Sequence, residues 1–257
     1  MILDGKSLAE QLAGELKARA VGRDIRLAVV LVGDDFASVK YVNAKQKRAL
    51  EVGIKCDIIA LSNDISEDEL LKAIHGLNAD AKVHGVMIQL PLPKHINQAR
   101  VCRAIDAKKD VDGLNPAGEF MPATVRGIEK LLEHYLFGAG FDLDGKVAAV
   151  VGRSEIVGKP AAKMLLDHNA TVIMCHSKTK DLASFTRRAD ILVAATGKDG
   201  MITPDFVKDG AIIIDAGTIG DVRKDCFAAA SAYTPVPGGV GPMTVVCLIE
   251  NTIKAAI

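Results

Sequence analysis

The chain has 257 residues, 49% of them hydrophobic, with 32 basic and 32 acidic side chains. That composition suits a soluble globular protein with a well-buried core in one large or two modest domains. Balanced charge without basic or acidic blocks excludes an electrostatic footprint for nucleic acid, and no apolar run reaches membrane-spanning length.

The five cysteines are scattered without a C-x-x-C pair, and the six histidines form no H-x-x-x-H pair. Neither a disulfide framework nor a metal site is expected. The N-terminus has no basic region followed by an apolar core, so a reduced, cytoplasmic protein is expected.

Taken in order, Ser7-Leu8-Ala9-Glu10 fits a capping box, and Leu8, Leu12 and Leu16 continue one apolar face to about Ala20. Residues 25–32 read as a strand, Gly33-Asp34-Asp35 as a turn, and 38–52 as a helix closed by Gly53. A second strand is predicted over 54–61. Ser66-Glu67-Asp68-Glu69 then caps a helix through Leu70, Leu71, Ile74 and Leu77, and a third strand spans 83–90 before Pro91-Leu92-Pro93. A short helix at 97–105 leads to Lys109-Asp110-Val111-Asp112-Gly113 and to a Pro/Gly loop at 115–122, where a domain boundary falls. Ile128, Leu131, Leu132, Tyr135 and Leu136 form the apolar stripe of a connecting helix that ends before Gly138.

The second half opens on a buried strand, Val147 to Val151, followed by Gly152-Arg153-Ser154 and a helix beginning near Gly158. Strand, glycine turn and helix is the layout in which backbone N–H groups meet phosphate. Five residues separate Gly152 from Gly158, so the spacing is neither G-x-G-x-x-G nor a Walker A loop, and an ordinary tight turn stays open as a reading. The next strand, 171–175, ends in His176-Ser177-Lys178-Thr179, without the acid that receives a ribose 2′-hydroxyl. Arg153, Ser154, Ser177 and Lys178 as a set favour a 2′-phosphate, hence NADP. Further strands are predicted at 191–195 and 211–215 and around Tyr233, with helices between them, one of them with Thr203 as N-cap and Pro204 at its first position. A final amphipathic helix covers 243–257.

The predicted architecture is α/β: two lobes with parallel sheets joined by long connecting helices. Residues 1–122, completed by 243–257, form a catalytic lobe, and 123–242 a Rossmann-like dinucleotide lobe. Two such lobes imply a cleft, with ligands gathered at the carboxyl ends of the strands. Tyr41 and Lys45 share a helix face. Gln89 interrupts an apolar strand, where an unpaired polar side chain costs roughly 1–3 kcal/mol. Asp110 and Asp112 sit at a loop mouth, and the proline- and glycine-rich run 235–242 would let backbone approach a flat ligand closely.

These motifs carry a resemblance. Tyr41-Val42-Asn43-Ala44-Lys45, Gln89-Leu90-Pro91-Leu92-Pro93, the Lys109–Gly113 motif, Gly152-Arg153-Ser154 with Val157-Gly158-Lys159-Pro160, Cys175-His176-Ser177 and Thr234 through Thr244 occur in this order. The chain resembles the bifunctional methylenetetrahydrofolate dehydrogenase/cyclohydrolase family. The resemblance implies NADP-linked oxidation of 5,10-methylenetetrahydrofolate to the methenyl form, then hydrolysis to 10-formyltetrahydrofolate, at one active site in the interdomain cleft. Such one-carbon folates serve purine biosynthesis, and the family usually forms homodimers through the nucleotide domain. Lys45 matches the catalytic lysine, Tyr41 the tyrosine that stacks on folate, Gln89 the glutamine beside the lysine, and Asp112 the aspartate that bonds the pterin. Pro237, Gly238 and Gly239 match the loop lining the folate site. Gly152, Arg153, Ser154, Val157, Gly158, Ser177, Thr196, Gly197 and Thr218 match the cofactor positions, and no metal is implied. One segment departs: the family's longer stretch ending in Pro-Cys-Thr-Pro is shortened here to 114–120, followed by Met121-Pro122-Ala123-Thr124-Val125. A dehydrogenase with a weak or absent hydrolytic step, or a silent nucleotide-binding module, are the competing readings. The second predicts loss of some of Tyr41, Lys45, Gln89 and Asp112, and all four are present.

Overall fold

A computed structural model describes all residues, 1–257. The chain divides into two compact units, one of residues 10–123 and 245–257, the other of 1–9 and 124–244. Helices α1 (Gly5–Ala20) and α8 (Val240–Ala255) contribute residues to both.

The first unit is built on a three-stranded parallel sheet ordered β2-β1-β3, with β1 Arg26–Val32, β2 Lys55–Leu61 and β3 Gly85–Ile88. β1 is central and buried along almost its whole length, as a parallel strand covered on both faces must be. Crossovers run through α2 (Phe36–Val52) and α3 (Glu67–Ala79), and α4 (Gln98–Ala104) follows β3. Val30, Val86, Ile88, Leu70, Ile74, Val101 and Ile105 form one apolar cluster. Each such fully buried side chain contributes roughly 1.5–3 kcal/mol.

The second unit carries a five-stranded parallel sheet ordered β5-β4-β6-β7-β8. Its strands are β4 Val147–Val151, β5 Thr171–Cys175, β6 Ile191–Ala194, β7 Ile212–Asp215 and β8 Ala232–Tyr233. α5 (Ala123–Leu132) precedes it, α6 (Gly158–Asp167) crosses from β4 to β5, and α7 (Leu182–Thr186) from β5 to β6. The chain returns from edge strand β5 past β4 to β6, which makes the β4/β6 boundary the point where the strand order reverses. The α/β class with parallel sheets is as expected from the sequence.

Several expected boundaries move, each for a local reason. α1 is capped by Asp4, which accepts from Ser7 N and Ser7 Oγ, so the Ser7/Glu10 capping box does not form. Glu10 instead pairs with Arg48. α2 starts two residues early because Asp35, expected in the turn, accepts from Ser38 N at 2.9 Å as its N-cap. β3 is half its expected length. His84 N and Gln89 N still donate to β1 carbonyls, but Pro91 has no N–H to extend the ladder. The connecting helix leaves α geometry at Glu133, and a π-helical turn, Glu133–Phe137, completes the stripe. Between β6 and β7 no α-helix forms. Thr203 Oγ1 donates to Asp205 Oδ1 rather than capping, and only the 3₁₀ turn Pro204–Phe206 follows. A second 3₁₀ turn, Lys224–Ala228, is the one helical element between β7 and β8.

Candidate active site

In the first unit, α2 holds Tyr41 and Lys45 four residues apart. Gly53 ends the helix in the left-handed region, φ 93°, and its N–H returns to Ala49 and Leu50 carbonyls. Tyr41 is 42% exposed, its ring presented outward. Lys45 is half-buried, and its Nζ donates to Gln89 Oε1 at 3.0 Å. Gln89 spends its Nε2 on the Leu90 carbonyl at 2.7 Å, which fixes the amide with its oxygen toward the lysine. The polar residue at the end of an apolar strand is therefore fully engaged, as its burial requires.

Asp112 completes the group from the following loop. That loop is tightly held. Lys109 Nζ donates to the Asn78 and Asp80 carbonyls at 2.8 Å, closing the C-terminal end of α3. Asn251 Nδ2 donates to the Val111 carbonyl, and Ala123 N to the Asp112 carbonyl. Gly113 has φ 70°, and a Cβ there would lie 2.6 Å from Pro122 N, so glycine is required. The shortened segment is ordered through Asn115, whose N donates to Asp110 Oδ2 at 2.5 Å and whose Nδ2 donates to the Ile105 carbonyl. Asp110 is fully buried with Oδ1 unpartnered, and burial pushes its carboxyl up to about 6.

The electrostatics of the Lys45–Asp112 pair run in opposite directions. Burial lowers the lysine pKa, and the Asp112 charge pulls it partly back. Burial raises the Asp112 pKa, and the lysine opposes that. Cys56, near enough to feel Lys45, is pushed up to about 11 by burial and stays a thiol. The arrangement is an amine made easier to deprotonate and held by one amide oxygen, a group chemically able to carry a proton. No group of three or more His, Cys, Asp and Glu side chains stands where it could hold a metal ion.

In the second unit, β4 ends at Gly152, φ 126°, where a Cβ would lie 2.1 Å from the Ala195 carbonyl oxygen. Gly158 packs as closely, its would-be Cβ 2.2 Å from Gly152 O. These two glycines let strand, turn and helix close on one another. Ser154 Oγ accepts from Val157 N and Gly158 N at 3.2 Å, so the serine read as a phosphate donor also satisfies amides at the start of α6. Arg153 beside it is exposed. At the end of β5, His176 N donates to Thr179 Oγ1 and Lys178 N to His176 Nδ1, a turn that displays Ser177 and Lys178 to solvent. Thr196 and Gly197 follow β6 and Thr218 follows β7, all at the carboxyl edge of the sheet. Pro237, Gly238 and Gly239 belong to this unit as well. Lys6 N donates to the Gly238 carbonyl at 2.8 Å, and a Cβ on Gly5 would lie 1.9 Å from the Gly239 oxygen. α8 begins at Val240, with Pro242 in its first turn, where a missing N–H costs nothing.

Two carboxylates in this unit lie outside the residues singled out from the sequence: Asp215 and Asp221, at most 1% exposed. Asp215, a polar residue closing an apolar strand, repeats the pattern of Gln89 and could have been found by it. Asp221 could not, because its partners lie some 25 residues away in sequence.

Comparison with known proteins accounts for nearly the whole chain. The catalytic domain of tetrahydrofolate dehydrogenase/cyclohydrolase matches residues 3–112, and the NAD(P)-binding domain of the same family matches 122–257. The stretch left between them is the shortened segment. The bifunctional protein FolD of Moorella thermoacetica is 48% identical over 278 residues, covering 99% of this chain and 98% of that protein. That alignment is longer than this chain, so the relative carries residues with no counterpart here. The crystal structure of the bifunctional FolD enzyme from Campylobacter jejuni superposes with a TM-score of 0.92 at 43% identity, covering 100% of this chain and 98% of the other. The Trypanosoma brucei dehydrogenase-cyclohydrolase, solved with NADP and an inhibitor, superposes with a TM-score of 0.92 at 31% identity, covering 99% and 96%. The chain belongs to the tetrahydrofolate dehydrogenase/cyclohydrolase family.

Proposed function

We propose that this protein oxidises 5,10-methylenetetrahydrofolate with NADP and hydrolyses the methenyl product to 10-formyltetrahydrofolate. A hydride leaves the bridging carbon for the nicotinamide, yielding NADPH and an amidinium cation. Water then adds to that carbon, loses a proton, and one carbon–nitrogen bond opens. The observation that carries the reading is the Lys45 Nζ–Gln89 Oε1 hydrogen bond, with Asp112 within electrostatic reach of the amine. A lysine lowered by burial, and lowered further by a cationic substrate, can take the proton from the attacking water and return it to the leaving nitrogen. Asp112 is the acceptor for the pterin, and the exposed Tyr41 ring the surface on which it stacks.

NADP is taken up by the second unit. Gly152, Val157 and Gly158 bring backbone to the pyrophosphate, and Arg153, Ser154 and Ser177 take the 2′-phosphate. Thr196, Gly197 and Thr218 serve the other half of the cofactor. NADP in the Trypanosoma brucei structure supports this choice. Residues 1–122 with 243–257 form the folate-handling domain and 123–242 the nucleotide domain.

A cytoplasmic location is supported by five cysteines that are all free and buried. A homodimer is supported by β5, an edge strand with Thr171 and Met174 exposed and a free row of backbone groups. No helix is long and apolar enough to cross a membrane.

The test is one assay with methylenetetrahydrofolate, run with NADP and with NAD, following reduced cofactor and the methenyl intermediate. NADPH without methenyl build-up is the expected result. Accumulation of methenyl would reduce the protein to a dehydrogenase, and absence of any reduced cofactor would overturn the proposal.

A further inference from the structure

The loops leaving β6 and β7 are organised by buried charge. Asp221 is fully buried, yet its carboxylate reaches the exit of β6. Its Oδ2 accepts from Thr196 N, from Thr196 Oγ1 at 2.9 Å and from Gly197 N at 3.0 Å, and its Oδ1 accepts from Lys198 N at 3.1 Å. Asp215 does the same at the exit of the neighbouring strand, β7. Its Oδ1 accepts from Gly217 N at 2.9 Å and Asp221 N at 3.2 Å, its Oδ2 from Val222 N at 3.0 Å. Asp215 N in turn donates to the buried Thr234 Oγ1 at 2.8 Å. Thr234, Asp215, Asp221 and Thr196 thus form one polar chain across the carboxyl edge of the sheet. Gly217 lies against it so closely that a Cβ would stand 2.3 Å from Asp221 Oδ1.

Stability alone does not account for this. Desolvating a carboxylate is costly unless its hydrogen bonds repay the loss. The N–H groups of Gly197 and Lys198 lie in an exposed stretch where water would satisfy them. What the carboxylate adds is a fixed backbone course over 196–198, with Thr196 Oγ1 turned inward. The location says what that course is for. In a doubly wound nucleotide domain, the strand after the glycine turn and its helix marks the adenosine half, here β5. The exits of β6 and β7, across the strand-order reversal, receive the other half.

We infer that Asp221, held by Asp215, is a positioning residue that sets the 196–198 and 217–218 backbone to receive the nicotinamide half of the dinucleotide. This rests on the proposed assignment of the second unit to NADP, and it predicts which half of the ligand a substitution at Asp221 affects. Asn in place of Asp221 keeps the shape but turns an NH₂ toward N–H donors, so half the acceptor capacity is lost.

The experiment measures equilibrium binding of NADP and of 2′,5′-ADP, which fills only the adenosine half, to the full chain and to Asp221→Asn. The expected result is NADP binding about tenfold weaker with 2′,5′-ADP binding unchanged. Thr196→Val, which removes one of the four bonds and disturbs folding least, should move NADP alone in the same direction. It carries the test if Asp221→Asn does not fold. Equal affinity of variant and parent for both ligands would overturn the inference, as would equal weakening of both, the mark of a general structural role. Failure of the parent chain to bind either ligand would instead overturn the NADP assignment.

Discussion

The two units use burial in opposite ways. In the three-stranded unit the groups that matter are side chains taken partly out of water: Lys45 is hydrogen-bonded to Gln89 with Asp112 within electrostatic reach, and two of the three have displaced pKa values. In the five-stranded unit the groups displayed are backbone amides and exposed polar side chains, and burial goes into the glycines and carboxylates beneath them. Chemistry needs a perturbed acid or base, whereas holding a dinucleotide needs close backbone approach and fixed donors. Substitutions should therefore separate into those that change rate and those that change cofactor affinity.

The largest effect is expected at Lys45. Lys45→Met removes the proposed proton carrier and leaves the nucleotide unit untouched. The hydrolytic step should fall about 10²–10⁴-fold while NADP affinity stays as it was. A loss of NADP binding would break the separation. The pH profile sharpens the same point. Burial brings the lysine below its ordinary 10.5, and only the neutral amine accepts a proton. The hydrolysis rate should thus rise with pH through the lowered pKa. Asp112→Asn removes the charge that holds that pKa up, so its rising limb should move to lower pH. A limb that stays in place would mean Lys45 is not the group titrating.

Next in size is Gly152→Ala, which places a methyl 2.1 Å from the Ala195 oxygen at φ 126°. A displacement of about an ångström at a site of this kind costs on the order of 100-fold, here in NADP affinity, with the 10-formyl-forming step on preformed methenyl substrate unaffected. Arg153→Ala should be milder and selective. Losing one charge-assisted contact should raise the KM for NADP about tenfold and that for NAD hardly at all. Equal changes for both cofactors would place the 2′-phosphate elsewhere.

Much of this division was legible in the sequence. β4 and β5 fall where the apolar runs place them, and for β4 a short β-branched run between Gly145 and Gly152 leaves little choice. The Ser66–Glu69 capping box forms as read, with both reciprocal bonds. The apparent box at Ser7–Glu10 fails because Asp4, three residues upstream, competes for the same amide, and nothing in the Ser-x-x-Glu pattern reports that. Lys45 and Gln89 could be paired only through the family resemblance, since they lie 44 residues apart and meet through the parallel crossover. Asp110 was visible as turn chemistry, and it does order Asn115, but its orphaned Oδ1 depends on packing that no local pattern encodes.

The smallest effect concerns a feature used for neither rate nor affinity. His168, at the C-terminal end of α6, stacks on Phe141 with ring centroids 3.9 Å apart. Its Nδ1 faces the Phe141 carbonyl at 2.7 Å and its Nε2 faces Glu129 Oε1 at 2.9 Å. Both ring nitrogens face acceptors, and only the imidazolium has two N–H groups to give them. Burial opposes the charge, but the bonds to Glu129 and Phe141 outweigh it and raise the pKa above 6.5. A raised folded-state pKa means the contribution is complete below the unfolded value near 6.5 and is lost as pH rises through the folded value. The second unit should accordingly lose on the order of 1 kcal/mol across that window, read as a fall in Tm. His168→Gln, which cannot take up a proton, should flatten the dependence. Glu129 does not contribute to this window: burial works against its ionisation, but His168 and Arg126 hold its pKa below 4.5, so its own loss comes only at acid pH. A wild-type Tm that is level from pH 6 to 8 would show the imidazole to be neutral, with one of its two close contacts no longer a hydrogen bond.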